Sequence, residues 1–306
     1  MGRSLRPSGY AMLVLLLIES VCSPLQAGQM KPGEKLRYTF SYQGIFSGFV
    51  PIEIADAVLE VQPESEIVQG LVTYQVTLDL TTESYPKAEL LYPVRYRYRS
   101  WMEPDRQQPV LISEFLKTDE TSEELLWFDR ENQQGHRYVK ADERQNGAAV
   151  PPGFLLQKAD PTERDALHWA QKSRQEFTDR AVWGYLSLLY RLRFLDLQTD
   201  RVFELNLYNG KRIKQYRVEV TDEPVAPTEW NRAAFILKLF EVGGKSAKKK
   251  FVASVWVSND ELRLPLRFLV QQGFGELQGI LHTGRPLTAR QDGLSAATSQ
   301  SLQLIF

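Results

Sequence analysis

The sequence predicts a mainly β (α+β) fold: a curved antiparallel sheet or partly open β-barrel, with one long helix packed on its concave face. Two observations predict it. Almost every apolar segment alternates with a period of two, the pattern of half-buried strands. Only Asp179–Phe194 (DRAVWGYLSLLYRLRF) carries a long helical period, with Val182, Leu186, Leu189 and Tyr190 on one stripe and Trp183 and Phe194 at its edges. A single amphipathic helix among many strands serves as the apolar plug or lid of a curved sheet. A chain of 306 residues, 43% apolar, can bury a substantial core in one large domain or two smaller ones. Its net charge of −1 argues against a nucleic-acid partner.

Residues 1–27 read as a cleaved signal peptide. Arg3 and Arg6 supply a positive start, and Ala11–Ile18 is apolar but too short to cross a bilayer. Cleavage after Ala27 fits the small residue required there. An uncleaved anchor, or lipidation at Cys22, are the alternatives; Glu19 interrupts both patterns. Cys22 is the one cysteine, so residues 28–282, read as a single mainly β domain, hold no disulfide and no thiolate.

The elements follow in order. Lys35–Gln43 alternates Leu36, Tyr38, Phe40 and Tyr42 against polar residues. A strand through Phe49–Gln62, with Pro51 tolerated only at a strand start or edge, and another through Leu71–Glu83 follow, with turns at Pro63–Glu66 and at Gln69–Gly70. Tyr92–Met102 sets Val94, Tyr96 and Tyr98 against Arg95, Arg97 and Arg99. A solvated outer face explains the arginines, and an anion-attracting wall is the functional alternative. Val110–Thr118, Glu124–Asp129 and His136–Lys140 continue the meander. The segment 141–177 breaks the alternation: a Pro/Gly-rich loop, then a helix over Glu163–Phe177 announced by the Thr162/Asp165 capping pair. This insertion is either a passive loop or a lid. After the helical segment, Val202–Tyr208 and Lys211–Val220 form a hairpin about Asn209–Gly210. Strands at Ala233–Val242, Phe251–Ser258, Leu264–Gln272 and Phe274–His282 complete the set, with the lysine-rich loop 243–250 a solvated tip. Residues 283–306 read as a flexible polar tail. Its alternating end resembles a membrane-barrel strand, but no outward apolar band accompanies it.

No catalytic constellation stands out, and the chain reads as a non-enzyme without a cofactor; a hydrolase is the minor alternative. His136, His168 and His282 lack metal-ligand spacing. Ser187 lies within a helix, not at a nucleophile elbow, and its hydroxyl is expected to bond a carbonyl one turn back. Tyr190 and Arg193 are neighbours on one helical face. Arg193 either pairs with a strand-end carboxylate or meets an anionic head group at the mouth of an apolar cavity. Leu186, Ser187, Tyr190 and Arg193 are therefore the candidate ligand-binding residues.

Three stretches carry a resemblance: Gly33–Gly48 (GEKLRYTFSYQGIFSG), the helix with Ser187, Tyr190 and Arg193, and Val255–Leu281 (VWVSNDELRLPLRFLVQQGFGELQGIL). In order and spacing they resemble the bacterial exported-protein family known as domain of unknown function 3108, over roughly residues 33–282. The resemblance implies an exported, mainly antiparallel β protein with one long helix and no assigned activity. Its members tend to carry Asp three residues before the helix serine; here that place is Gly184, leaving Asp179 as the nearby acid. A half-barrel with a helix across it is similar to lipoprotein carriers of the LolA/LolB kind, a fold analogy alone. Two functions follow as expectations. One is a carrier or binding module for an apolar or lipid-like molecule, at most peripheral to a membrane. The other is a solid-cored structural protein that binds an envelope partner.

Overall fold

The computed structural model describes residues 30–140, 149–159, 168–178, 181–221, 233–243, 249–273 and 275–282. Among them lies one 15-stranded sheet that does not close. One wing runs outward from β1 (Lys35–Gly44) through β2 (Ile52–Val68), β3 (Leu71–Thr81), β4 (Arg95–Met102), β5 (Pro109–Lys117), β6 (Thr121–Asp129) and β7 (Gln134–Lys140) to β8 (Trp169–Glu176). The other runs back from β9 (Val182–Trp183) through β10 (Val202–Tyr208), β11 (Ile213–Thr221), β12 (Ala234–Val242), β13 (Lys250–Ser258) and β14 (Pro265–Gln272) to β15 (Gly275–Leu281). β15 pairs with β1, so the wings join at the middle of the sheet and the free edges are β8 and β9. Every ladder is antiparallel except β9–β10. Three α-helices are described, α1 (Pro86–Leu91), α2 (Gly153–Leu156) and α3 (Tyr185–Phe194), and one 3-10 turn, Ile45–Ser47.

The core follows from register. Residues opposite one another across an antiparallel ladder share a face. Phe40, Gly279, Phe268, Val255, Leu237 and Val220 form one such row across the second wing. Ala57, Leu80, Tyr96 and Leu116 form another across the first. Both rows belong to the inner face, and α3 lies between the two wings. Leu186 and Tyr190 pack into the cluster with Leu59, Val76, Tyr98 and Ile112, while Leu188 and Leu192 pack with Leu205, Val218, Leu237 and Val257. Leu189 and Phe268 touch both clusters.

The helix is shorter than the periodicity implies: ten residues, not the sixteen of Asp179–Phe194. Val182 and Trp183, β-branched and aromatic, take backbone bonds from β10 instead. Residues 179–180 lie outside the described set. The second helix expected over Glu163–Phe177 is a strand from Trp169 onward; it pairs with β7, and its exposed residues Lys172, Arg174 and Glu176 alternate with period two. Residues 163–167, the Thr162/Asp165 pair, the leader, most of the lysine loop and the tail from 283 lie outside the described residues. Of the supposed lid, residues 149–159 form a strap on the outer face of the first wing. Leu155 and Ala159 are buried there with Trp101, Leu111, Leu125 and Tyr138, and Ala149 accepts a hydrogen bond from the Gln171 amide.

Two turns also differ from expectation, and one expected turn, Gln69–Gly70, is found. Pro63 makes no turn but a bulge within β2, where the register slips between Val61 and Ser65. Gln69 and Gly70 form the actual hairpin, both in the left-handed region. The Asn209–Gly210 hairpin closes over four residues, because Tyr208 faces Ile213 and the Asn209 side chain accepts from the amides of Lys211 and Arg212. The arginines of β4 lie on the outer face: Arg95 pairs with Glu83 and Glu89, Arg97 with Asp79, and Arg99 bonds Ser113.

Candidate functional site

The four helix residues singled out by sequence are all buried. The Ser187 hydroxyl accepts from the Gly184 amide at 2.8 Å and donates to the Gly184 carbonyl at 3.2 Å, capping its own helix. Arg193, 1% exposed, grips Glu34 with two parallel bonds of 2.6 and 2.8 Å and donates a third to the Leu262 carbonyl at 3.1 Å. The Tyr190 hydroxyl donates to the same carboxylate at 3.1 Å, and its ring lies 4.9 Å beneath the guanidinium. Burial pulls the Arg193 pKa down most, yet Glu34 and its bonds outweigh this and leave it raised. Leu186 packs in the core beside Tyr190. These residues bolt α3 to the start of β1.

A second polar group faces inward on the first wing. Glu114 stands opposite Tyr98 and Glu124 in the ladder and accepts from the Tyr96 hydroxyl at 3.0 Å. Glu124 is held by Arg137. Desolvation first, and the Glu124 charge second, raise the Glu114 pKa. A raised carboxyl pKa means that the folded state prefers the proton. The ionisation penalty is absent below the ordinary value of 4.5 and grows as pH climbs from there to the raised value. Glu114→Gln should therefore match the wild type in thermal stability at acid pH and exceed it increasingly as pH rises through that window. A pH-independent difference in melting temperature would refute this assignment.

The open seam holds the cavity. No ladder joins β8 to β9, and the β10–β11 tip is pressed against the inner face of β6 and β7 instead. Ser173 donates to the Gly210 carbonyl at 2.5 Å. Phe128, Phe177 and Tyr208 meet with ring centroids 5.5–5.9 Å apart. A Cβ at Gly135 would come within 2.6 Å of Phe177 and 2.7 Å of Tyr208, so the rings occupy the space a side chain there would need.

Beside this aromatic floor lies a cavity of about 510 Å³. It is lined by the apolar residues Pro109, Phe128, Phe177, Ala181 and Val182 and by the polar residues Arg106, Gln108, Arg130, Gln133 and Thr178. Three short connections carry the polar residues. The β4–β5 loop is pinned by Gln107, whose amide group donates to the carbonyls of Pro104 and Asp105 at 2.8 and 2.7 Å. The β6–β7 turn is pinned by Asp129, which accepts from the Asn132 amide and side chain at 3.1 and 2.8 Å. The chain after β8 is tied to that turn by the Phe177 amide, 2.6 Å from the Gln133 carbonyl. Glu103 holds Arg130 Nη1, while Arg130 Nη2 is buried with no hydrogen-bond partner among the described residues. Burial lowers the Arg130 pKa.

Of the expected site only the helical segment touches this place, through Ala181 and Val182 ahead of α3. Sequence reasoning missed the remaining lining residues, because they come from connections far apart in the chain. The available signal was two arginines, Arg106 and Arg130, each in a turn that follows a strand ending in aromatic and apolar residues (SWMEPDR and LWFDR). Among the described residues no cluster of three or more potential metal ligands occurs, and no helix is long and apolar enough to cross a membrane.

A search of curated proteins finds no match. Among solved structures, the chain is similar to a beta-barrel-like protein of domain of unknown function DUF1849 from Brucella abortus, at 7% identity and a TM-score of 0.49, covering 83% of this chain and 97% of that one. Residues 37–281, most of the length and the whole of both wings but for their ends, match the family described as "Protein of unknown function (DUF3108)". The chain is a member of the DUF3108 family.

Proposed function

We propose that this protein is an exported, non-catalytic binding or carrier module of the bacterial cell envelope, and that it holds an apolar, lipid-like ligand in the seam cavity. The cavity carries this reading. Its volume of about 510 Å³ falls in the range of small-molecule sites, and its lining combines apolar residues with a few polar ones. The helix residues Leu186, Ser187, Tyr190 and Arg193 support it indirectly, by holding α3 and so the β9 side of the cavity. The signal-like residues 1–27 support export to the periplasm, where lipid-like ligands abound.

The test is titration of the purified protein with a fluorescent fatty acid, beside Ala181→Trp, which puts an indole at a position that lines the cavity. The variant should bind at least about tenfold more weakly, equivalent to ~1.4 kcal/mol, while melting within a few degrees of the wild type. Equal binding by both proteins would remove the cavity from the account.

A second reading, an interaction protein of the envelope, has one observation in its favour. Ile45, Phe49 and Val50 are each at least 60% exposed on the β1–β2 connection, with Phe49 in the left-handed region. Phe49→Asp should abolish capture of an envelope partner on this reading and leave fatty-acid binding intact on the first.

A further inference from the structure

We propose that two copies of this chain join edge to edge through β8, antiparallel about a two-fold axis at Gln175, with Arg174 of each copy opposite the partner's Glu176. A strand at the edge of an open sheet presents main-chain groups that can template another strand, and β8 is such an edge. Its outward groups follow from register. The Phe177 amide bonds the Gln133 carbonyl, so it turns toward β7. Main-chain groups alternate sides along a strand, and the β7–β8 pairing is regular from Ser173 to Glu176. Gln175 therefore turns toward β7, while Arg174 and Glu176 turn away from it. Earlier in the strand the edge is taken, because the Gln171 amide bonds the Ala149 carbonyl at 2.9 Å. Among the described residues, the outward main-chain groups of Arg174 and Glu176 meet one side chain, that of Gln175, which donates to the Glu176 carbonyl at 3.2 Å on the exposed surface.

Arg174 and Glu176 are both exposed, and neither forms an ion pair with another described residue. Charges on an edge ordinarily keep other strands away. These two are of opposite sign and complement themselves under the two-fold: Arg174 meets the partner's Glu176 at both ends of the ladder, and Lys172 stands opposite the partner's Thr178. The neighbouring registers that keep the hydrogen bonds would set Arg174 against Arg174 or Glu176 against Glu176, so charge selects the register. Each Arg174–Glu176 pair exchanges two main-chain bonds. Such a ladder is small, and the dimer is weak and concentration-dependent. Phe177 and Thr178 line the seam cavity, so the joint places the two cavities on either side of one strand pair.

The experiment is sedimentation equilibrium of the purified protein from roughly 10 μM to 1 mM, the range of a weak interface. The wild type should show a monomer–dimer equilibrium within it. Arg174→Glu and Glu176→Arg should each weaken the dimer at least about tenfold, because each reversal sets like charges opposite one another at both symmetric positions. The double variant Arg174→Glu/Glu176→Arg should restore wild-type association; charges that merely guard the edge would give no such rescue. Arg174→Pro removes an outward amide and no bond to β7, so it should abolish the dimer while circular dichroism shows the sheet intact. A wild type that stays monomeric throughout overturns the inference. So does a dimer that survives Arg174→Pro in a folded protein, or one whose strength is the same in the single and double reversals. The ligand reading stands or falls separately, on the fatty-acid titration.

Discussion

Arg193→Leu, with Glu34 left in place, is expected to destabilise the protein by about 3–5 kcal/mol. The variant strands a carboxylate that is only 8% exposed and that now accepts three bonds, two from Arg193 and one from Tyr190. A buried charge without its partner costs far more than the pair contributes, since the pair's attraction mostly offsets its own desolvation. For a domain of this size the melting temperature should fall by roughly 6–20 °C, at about 2–4 °C per kcal/mol. The double variant Glu34→Leu/Arg193→Leu should recover much of that loss, though Tyr190 loses its acceptor. Chemical denaturation of the three proteins measures the coupling directly. Near-additive losses would mean that the pair is not the bolt between α3 and β1.

The second large effect is at Gly184. Its backbone is extended (φ −94°, ψ −176°), so conformation alone does not demand glycine. Space does: a Cβ there would lie 2.3 Å from Ile112 Cδ1 and 3.0 Å from the Tyr98 hydroxyl. Ile112 is wholly buried, and the Tyr98 oxygen accepts the Tyr185 amide at 3.3 Å. Gly184→Ala should cost about 1–3 kcal/mol by overpacking. Ile112→Val, which removes the offending methyl, should cost about 0.5–1.5 kcal/mol alone. Combined, the two should cost less than their sum, because the second change makes room for the first. A strictly additive cycle would show that the α3 start does not press on β5. The same crowding leaves no room for a longer side chain at this place. Ser187 already satisfies the Gly184 amide, and Ile112 fills the room a longer side chain would take.

The period-two segments were legible because each strand buries one face, so the two wings and most of their turns could be read off the chain. The polar strand Trp169–Glu176 could not. At the sheet edge beyond Ala170 it has no fully buried face, and its alternation runs between half-buried and exposed polar residues with no apolar stripe to betray it. The helix was legible in kind but not in length, because Val182 and Trp183 satisfy the helical stripe and the β9–β10 pairing equally well until tertiary context decides. Of the candidate site, Tyr190 and Arg193 were correctly placed as neighbours. Arg193's partner Glu34, 159 residues away, was named only as a strand-end carboxylate. The cavity itself was invisible: it forms where the sheet fails to close, and its polar lining residues come from three connections separated by up to 72 residues of chain between Arg106 and Thr178.

The most direct test of the central claim is native mass spectrometry of the protein purified from the periplasm of an expressing cell, wild type beside Ala181→Trp, followed by solvent extraction of each. The account predicts an added mass on the wild type that extracts as an apolar, lipid-like molecule and is missing from the variant. A bare wild-type mass, or the same adduct on both proteins, would contradict the claim that the seam cavity is the ligand site.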